Sequence, residues 1–325
     1  MKRFLVTGGS GFIGSNFIRF FLKAHPEISL INLDKLTYAG LRKNTEEFES
    51  DPRYKFVHGD ICDAALVQKS MERVDCVIHF AAETHVDRSI DSSYDFIRTN
   101  VLGTGILLEA ARKSKVKRFI HFSTDEVYGS RKEGSFVETD LLNPSSPYSA
   151  SKAAGDLLAL SYWKTHQLPV VILRCSNNFG PYQFPEKVIP LFITNLIEDK
   201  KVPLYGKGAN IRDWLYVDDC GEAVDFVLQH GVSGEIYNVG GGCELNNSEL
   251  AHLILKSLSE TDRMIEYVQD RPAHDFRYSL ETSKLKRLGF VIQPKFEAHL
   301  RQTIKWYQDN KAWWQPLKKD TYTLK

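Results

Sequence analysis

Three features of this 325-residue sequence predict an α/β fold, with helices on both faces of a doubly wound parallel sheet. Short apolar runs rich in Val, Ile and Phe alternate with longer segments of helical periodicity through the first half. A glycine-rich turn joins the first run to the first helical segment. The length exceeds the usual size of one core, so a smaller second α/β lobe is expected beside the main sheet.

The alternation places the elements of the first half in order. Strands are expected at Arg3–Thr7, Ser29–Asp34, Lys55–His58, Cys76–Phe80, Phe119–Ser123 and Val170–Cys175. Helices are expected at Phe12–Lys23, Ala64–Glu72, Phe96–Lys113 and Ser151–Thr165. Beyond Cys175, several prolines interrupt the alternation and indicate another lobe. We therefore predict a first domain at residues 1–177, to which residues 212–230 return, and a smaller lobe at residues 178–325.

Charge and cysteine usage argue against several classes of function. The 42 Lys and Arg residues balance 41 Asp and Glu residues, which gives no basic excess for nucleic acid or an anionic membrane. The five cysteines are odd in number and contain no CxxC pair, so neither a disulfide framework nor a metal site is predicted. No signal peptide or membrane span fits the N-terminal sequence, and a soluble cytoplasmic protein is expected.

The turn after the first strand has the spacing G-x-x-G-x-x-G, with glycines at Gly8, Gly11 and Gly14. Glycine lets the backbone approach a pyrophosphate closely, and the helix N-terminus supplies free N–H groups. Asp34 ends the second strand, where a carboxylate can accept hydrogen bonds from an adenosine ribose. That carboxylate repels a 2′-phosphate, so the pattern predicts a Rossmann domain for NAD rather than NADP, although Lys35 weakens the preference. A glycine-rich turn without a ligand is the alternative.

Two further pairs of residues follow predicted strands. Asp60 and Ile61 come after the third strand and are expected to bracket the adenine. Ala81 and Ala82 come after the fourth, where small side chains let a cofactor pass close to the sheet. Both pairs stand at the carboxyl ends of strands, where open α/β sheets bind their ligands.

Tyr148 and Lys152 are four residues apart at the start of a helical segment, so they share one face of the helix. A free tyrosine titrates near pH ~10, but an adjacent ammonium group and a positive nicotinamide favour the phenolate. Tyr148 could then remove a hydroxyl proton while hydride leaves the same carbon. The alternative is an exposed helical pair with no catalytic role.

Asp125 and Glu126 directly follow the fifth predicted strand. Neighbouring side chains diverge on a regular helix and face opposite ways on a strand, so both can serve one substrate only from a local turn. Such a pair could act as general acid and base in the loss of water. The alternative is that the two acids cap the next helix or favour its positive end.

Longer motifs carry a resemblance to a known family. They are Asp34–Gly40, His85–Ile90, Ser123–Gly129, Ser146–Lys152, Cys175–Tyr182, Arg212–Val217 and Asp270–Asp275. Together with the glycine turn they resemble the nucleotide-sugar 4,6-dehydratases of the extended short-chain dehydrogenase/reductase superfamily, over almost the whole chain. Two positions depart from the family pattern, since Thr84 stands for the usual Ser and Ala273 for the usual Gly.

The resemblance implies a lyase with catalytic NAD. Tyr148 would take the O4 proton of the hexose, Glu126 the C5 proton, and Asp125 would protonate the departing C6 hydroxyl, with Thr124 hydrogen-bonded near O4. The implied substrate is dTDP-glucose, with a UDP-sugar left open because of the two departures. A 4-epimerase, a class that lacks the acidic pair, and an NAD-binding scaffold without activity are the rival readings.

The resemblance also assigns binding residues and a homodimer. It places NAD against Gly8, Gly11, Phe12, Ile13, Gly14, Asp34, Lys35, Thr37, Asp60, Ile61, Ala81, Ala82, Thr99, Tyr148, Lys152 and Asn178. It places the nucleotide sugar against Thr84, His85, Asn177, Lys187, Val188, Pro203, Tyr205, Arg212, Asn247, Arg271 and His274. Arginine and lysine suit the diphosphate, and Tyr205 could stack on the base. Phe96–Lys113 and Ser151–Thr165 would pair across the two-fold axis.

Overall fold

The computed structural model describes residues 2–270 and 274–320. Its strands, in chain order, are β1 Arg3–Thr7, β2 Ser29–Asp34, β3 Tyr54–His58, β4 Cys76–His79, β5 Arg118–Thr124, β6 Val170–Cys175, β7 Asn177–Phe179, β8 Val202–Tyr205, β9 Ile211–Tyr216, β10 Ile236–Val239, β11 Glu244–Asn246 and β12 Ile265–Val268. Seven of them form a parallel sheet in the order β10-β6-β5-β4-β1-β2-β3. Two smaller sheets have the orders β11-β9-β7 and β12-β8.

The helices cover both faces of the main sheet and build the rest of the smaller lobe. They are α1 Phe12–Ala24, α2 Ala64–Ser70, α3 Val86–Asp91, α4 Tyr94–Phe96, α5 Thr104–Lys113, α6 Pro147–His166, α7 Val188–Ile197, α8 Val217–His230, α9 Asn247–Ser257, α10 Ser283–Leu288, α11 Phe296–Asp309 and α12 Lys311–Trp314. Single 3₁₀ turns lie at Arg42–Asn44, Glu46–Phe48, Asp125–Tyr128, Asp262–Met264 and Leu317–Asp320. None of the helices in the described parts of the chain is long and apolar enough to cross a membrane.

The predicted fold class is confirmed, and the six predicted strands lie where the apolar runs placed them, with ends that differ by no more than one residue. The helix predicted at Ser151–Thr165 begins earlier, at Pro147. Ser146 caps it, because its side chain accepts a hydrogen bond from the Ser149 amide, and proline is well suited to the first helical position. Tyr148 therefore belongs to the first turn of α6.

The helix predicted at Phe96–Lys113 is interrupted by a π-helical segment, Ile97–Gly103, which periodicity alone does not reveal. Within it, the side chain of Asn100 accepts a hydrogen bond from the Glu83 amide at 2.9 Å and donates one to the Glu83 carbonyl at 3.0 Å. The same amide group donates to Ser151 Oγ at 2.9 Å. The π segment thereby ties the loop after β4 to α6, and such segments are frequent at functional sites.

Three apolar cores hold these layers. Helices α1 and α8 pack on one face of the main sheet, and α2, α5 and α6 pack on the other. A third core joins α7, α9 and α11 to the smaller sheets. The strand β10 belongs to the main sheet although it follows the region expected to return to the first domain. The boundary near residue 177 stays a prediction.

Candidate active site

A cavity of about 290 Å³ opens at the carboxyl ends of the main-sheet strands. This edge is where open α/β sheets bind ligands, because loops from adjacent strands converge there. Many residues predicted from sequence line it: Gly8, Gly11, Phe12, Ile13, Gly14, Asp34, Lys35, Thr37, Asp60, Ile61, Ala81, Ala82, Thr84, Thr99, Thr124, Asp125, Glu126, Tyr148, Lys152, Asn177, Asn178 and Lys187. All the residues predicted for NAD are among them.

Two glycines of the turn, Gly8 and Gly14, have no room for a side chain. Gly8 has a φ of +71°, and a Cβ there would lie 2.5 Å from the Ala81 amide nitrogen. A Cβ on Gly14 would lie 2.3 Å from the Gly8 carbonyl oxygen. Gly11 caps α1 without any side-chain hydrogen bond, so the first N–H groups of the helix face the cavity. The turn fits the pyrophosphate of a dinucleotide.

Asp34 is buried at the end of β2 with only 7% of its surface exposed. Its two carboxylate oxygens accept hydrogen bonds from the amides of Ser10 and Leu36, each at 2.8 Å. These bonds hold the carboxylate at the edge of the cavity, and each oxygen keeps a lone pair for a further donor. The arrangement fits a ribose diol.

Lys35 does not offer a freely placed cation for a 2′-phosphate. Its ammonium lies 3.0 Å from a carboxylate oxygen of Asp60, which also accepts a hydrogen bond from Arg98 at 2.7 Å. Burial opposes ionisation of Asp60, but the Cys62 amide, Arg98 and Lys35 together lower its pKa to about 2. The ionised Asp60 thus engages both cations, which favours NAD over NADP.

Lys152 projects from α6 toward the end of β5. Its ammonium donates a hydrogen bond to the Phe122 carbonyl at 2.6 Å. Burial lowers the pKa of Lys152 to about 8, and the carboxylate of Asp156 limits the fall. Lys152 is therefore still positively charged at neutral pH.

Tyr148 lies one turn before Lys152 and is 7% exposed. Burial raises the pKa of its hydroxyl well above the ordinary value, and the charges of Glu126 and Asp125 raise it further. The nearby Thr124 hydroxyl acts in the opposite direction. Tyr148 consequently needs additional positive charge beside it before it can act as a base.

The local turn expected for Asp125 and Glu126 is present as the 3₁₀ turn Asp125–Tyr128. Thr124 caps this turn, because its Oγ1 accepts a hydrogen bond from the Glu126 amide at 3.3 Å and donates one to Asp125 Oδ1 at 3.1 Å. Both acids line the cavity. The pair does not cap a helix, since the next helix of the chain begins at Pro147.

Asp125 is 2% exposed. Burial raises its pKa well above the ordinary value, and the charges of Glu126 and Asp213 raise it further, against a smaller opposing effect of Arg212. A carboxyl group in this setting retains its proton at a pH where ordinary carboxylates have lost theirs. Asp125 is suited to donate a proton.

The residues predicted for the nucleotide sugar are more scattered. Thr84, Asn177 and Lys187 line the cavity, and the Lys187 ammonium donates a hydrogen bond to the Thr84 carbonyl at 3.2 Å. The others lie outside the cavity lining: His85, Val188, Pro203, Tyr205, Arg212, Asn247 and His274. Arg271, like Ala273, is outside the described residues.

Three of these outlying residues, Tyr205, His274 and Arg212, make contacts within the smaller lobe. Tyr205 and His274 contact each other edge to face, with ring centroids 6.3 Å apart. Arg212 donates a hydrogen bond to the Asp275 carbonyl at 3.0 Å and lies over the ring of Tyr278 at 4.2 Å. The segment that carries His274 and Asp275 is thus attached to strands β8 and β9.

Sequence reasoning missed Glu186, whose side chain is 1% exposed and which also lines the cavity. One of its carboxylate oxygens lies 3.3 Å from Arg88 and 3.7 Å from His85. Arg88 in turn lies over the ring of Tyr38 at 4.1 Å. The sequence offered one signal for Glu186, its position directly before Lys187. Its partner Arg88 lies 98 residues earlier in the chain, so their contact is visible only in the folded structure.

Comparison with known proteins gives the class of the protein. The sequence model of a family described as GDP-mannose 4,6 dehydratase matches residues 5–303, and the chain belongs to that family. Its class is the NAD-dependent nucleotide-sugar 4,6-dehydratases.

Individual relatives are more specific. The chain is similar to dTDP-glucose 4,6-dehydratase from Streptomyces niveus, with 52% identity over 97% of this chain and 96% of the relative. It is similar to the crystal structure of DesIV, a dTDP-glucose 4,6-dehydratase from Streptomyces venezuelae with NAD and TYD bound, at 51% identity and a TM-score of 0.95, over 97% of this chain and 99% of that chain. The Bacillus anthracis dTDP-glucose 4,6-dehydratase structure in complex with NAD is 46% identical, with a TM-score of 0.92 over 98% and 100% of the two chains. The resemblance inferred from the motifs is confirmed.

Proposed function

We propose that this protein converts dTDP-glucose to dTDP-4-keto-6-deoxyglucose and water, with NAD as a catalytic cofactor. One observation carries the proposal: the pair Tyr148 and Lys152 and the pair Asp125 and Glu126 line the same cavity as the glycine turn. Oxidation alone requires only the first pair. The second pair supplies the acid and the base that removal of water requires.

Tyr148 begins the reaction by taking the proton from the O4 hydroxyl of the glucosyl group. When bound, NAD accepts hydride from C4 and later returns it to C6, so the overall reaction involves no net oxidation. The positive charges of Lys152 and of the nicotinamide favour the phenolate of Tyr148, which burial otherwise opposes. With substrate bound, the Thr124 hydroxyl would turn its one proton from Asp125 Oδ1 toward O4 and so stabilise the developing ketone.

The new 4-ketone acidifies the C5 proton, which Glu126 removes. As the C5–C6 double bond forms, the C6–O bond breaks, and Asp125 gives its proton to the departing hydroxyl, which leaves as water. Glu126 then returns a proton to C5 when C6 is reduced. The raised pKa of Asp125 supports its role as the acid.

The nucleotide end of the substrate is assigned to the smaller lobe. Lys187 and Arg212 would meet the diphosphate, and Tyr205 would stack on the base. Their positions support this assignment, because Lys187 lines the cavity while Arg212 and Tyr205 lie on β9 and β8, in the two smaller sheets. Arg271 is proposed as a further cation for the diphosphate.

Parallel incubation of the NAD-loaded protein with dTDP-glucose and UDP-glucose tests the proposal. The 4-keto-6-deoxy product is followed by its absorbance in alkali, and the sugar is analysed for epimerisation at C4. We expect the keto product from dTDP-glucose at a higher kcat/KM than from UDP-glucose. A C4 epimer, or NAD binding without turnover of either sugar, would contradict the proposed function.

We also propose a homodimer formed through the segments Phe96–Lys113 and Ser151–Thr165. A surface groove there is lined by apolar residues that include Ile106 and Leu158, and Leu102 and Leu157 are 54% and 59% exposed. Leu107, from the first of these segments, is instead fully buried against the sheet. Light scattering should give twice the mass of the chain, and Leu102→Glu should shift it toward one; a monomeric wild type would contradict the proposal.

A cytoplasmic location is proposed on the basis of the cysteines. All five are free thiols, and three of them are buried. Unpaired cysteines of this kind suit a reducing compartment. Fractionation of the producing cells tests the location, and recovery outside the cytoplasm would contradict it.

A further inference from the structure

Strand β6 carries one charged residue in an otherwise apolar run, and that residue is buried. Arg174 is 2% exposed between Leu173 and Cys175. Its Nε donates a hydrogen bond to Asp156 Oδ2 at 2.8 Å, and Asp156 is fully buried. A buried charge is costly unless it is paired, so Arg174 and Asp156 depend on each other.

Asp156 belongs to the face of α6 that carries Tyr148 and Lys152, which we call the oxidising pair. It follows Lys152 by one turn and Tyr148 by two, so the three side chains project from one side of the helix. Burial raises the pKa of Asp156, but His121, whose Nε2 lies 3.3 Å from Oδ1, and the charge of Arg174 outweigh that effect. The ionised carboxylate therefore fixes this face of α6 to strand β6.

Arg174 also contacts the turn that carries the acidic pair. Its guanidinium lies over the ring of Tyr128, with 4.6 Å between Cζ and the ring centroid. Tyr128 is the last residue of the 3₁₀ turn and is 2% exposed. Its hydroxyl donates a hydrogen bond at 2.8 Å to Asn238. Asn238 lies on β10, directly opposite Arg174 on the neighbouring strand β6.

We infer that Arg174 is a positioning residue that holds the oxidising pair and the acidic pair in register. Through Asp156 it fixes α6 with Tyr148 and Lys152, and through Tyr128 it fixes the turn with Asp125 and Glu126. None of Arg174, Asp156 and Tyr128 lines the cavity, so all three act through the residues they hold. The inference rests on the proposed order of oxidation followed by elimination.

Register matters because the two pairs act on adjacent carbons of one sugar ring. A displacement of about 1 Å at a reacting group can cost about 10²-fold in rate. Arg174 contacts neither pair directly, but without its contacts to Asp156 and Tyr128 the helix or the turn could shift and separate the pairs. Oxidation at C4 would continue, but elimination of water from the 4-ketone by Asp125 and Glu126 would be slow.

The double variant Asp156→Leu with Arg174→Met removes both members of the buried ion pair. Because Asp156 also limits the fall in the pKa of Lys152, the variant is assayed on the acidic side of neutrality, where Lys152 stays charged. Replacement of a buried ion pair by apolar side chains of similar volume is often neutral or stabilising, so the protein should fold and retain NAD. With dTDP-glucose we expect kcat to fall by about 10²-fold while KM changes by less than about three-fold. NADH should accumulate during turnover because oxidation outruns elimination.

Two variants of Tyr128 provide the matched comparison. Tyr128→Phe keeps the ring over Arg174 and removes the hydroxyl with its bond to Asn238, so NADH should not accumulate beyond the wild-type level. Tyr128→Leu removes the ring contact but leaves the ion pair whole, so NADH should accumulate. This second variant decides the matter if the double variant does not fold.

The inference would be overturned if NADH accumulates no more in the folded double variant or in Tyr128→Leu than in the wild type. A fall in kcat without accumulation of NADH would also overturn it, because the defect would then lie in oxidation. The wild type serves as the reference in every assay. If the wild type forms no keto product, the proposed function fails. If the wild type forms the product and the variants accumulate no extra NADH, only the role of Arg174 fails.

Discussion

The two proposed catalytic pairs are held in different ways. Tyr148 and Lys152 belong to a 20-residue helix with a capped first turn, so their mutual geometry follows from regular backbone. Asp125 and Glu126 belong to a 3₁₀ turn of four residues. That turn is anchored by the next two side chains, since Val127 and Tyr128 fill a small core. Local geometry therefore defines the first pair, whereas tertiary packing defines the second.

Burial acts on both pairs but favours opposite changes in proton affinity. It lowers the pKa of Lys152 to about 8 and raises the pKa of Asp125 well above its usual value. In each case burial stabilises the neutral form of the side chain relative to the charged form, because an apolar environment disfavours charge. Lys152 still keeps its charge at neutral pH, and Asp125 holds its proton more tightly than an ordinary carboxyl group, so one environment supports both the oxidation and the loss of water.

The largest expected effect is that of Tyr148→Phe, which removes the base for C4 oxidation. We expect kcat to fall by about 10²–10⁴-fold, the usual contribution of a positioned acid or base. No NADH should appear with dTDP-glucose, because the reaction stops before the acidic pair is used. Absorbance of NADH and a measurement of retained NAD check this. NADH formation at the wild-type rate would show that another group removes the O4 proton.

Lys152→Met should lower kcat by about 10²-fold while stabilising the fold. In the wild type, burial lowers the pKa of this ammonium from 10.5 to about 8, so the unfolded chain binds more protons between those values. The resulting penalty at neutral pH is of the order of 3 kcal/mol, and it disappears as pH rises from about 8 to 10.5.

Urea unfolding at several pH values measures this second effect. The free energy of unfolding of the wild type should gain a contribution with rising pH in that window, and the Met variant should lack it. The variant should therefore be the more stable protein at pH ~7. A variant that is less stable at neutral pH and has the same pH dependence would contradict the stated cause.

The two capping residues distinguish the two modes of support. Thr124→Val removes both hydrogen bonds of the turn cap and the proposed donor to O4, and we expect about a 10²-fold loss of kcat with up to about 2 kcal/mol of stability. Ser146→Ala removes the cap of α6 at a cost of about 1 kcal/mol but should leave kcat almost unchanged. Equal losses of kcat would contradict the contrast between helix and turn.

The same contrast explains what could be predicted from the sequence. The glycine turn and Asp34 lie within one βαβ unit, so spacing alone was enough to place them around a cofactor. The helical spacing of Tyr148 and Lys152 was equally readable. Asp125 and Glu126 could be assigned only conditionally, because their common orientation depends on a turn whose anchor residues pack against distant parts of the chain.

The substrate side was less predictable for the same physical reason. Arg212 and His274 contact segments more than 60 residues away, through backbone carbonyls and ring contacts that leave no local pattern. Glu186 was missed because its partners, His85 and Arg88, lie at the start of α3, about 100 residues earlier in the chain. The π segment Ile97–Gly103 was missed because its extra residue per turn does not disturb the apolar periodicity enough to be seen.

Asp125→Asn is the most direct test of the central claim, which is that separate pairs carry out separate steps. The NAD-loaded variant is mixed with dTDP-glucose, and NADH and the keto product are followed in a single turnover. NADH should form at close to the wild-type rate and decay slowly, while product formation falls by about 10²-fold. Unchanged turnover, or the absence of any NADH signal, would contradict the assignment of Asp125 to the loss of water.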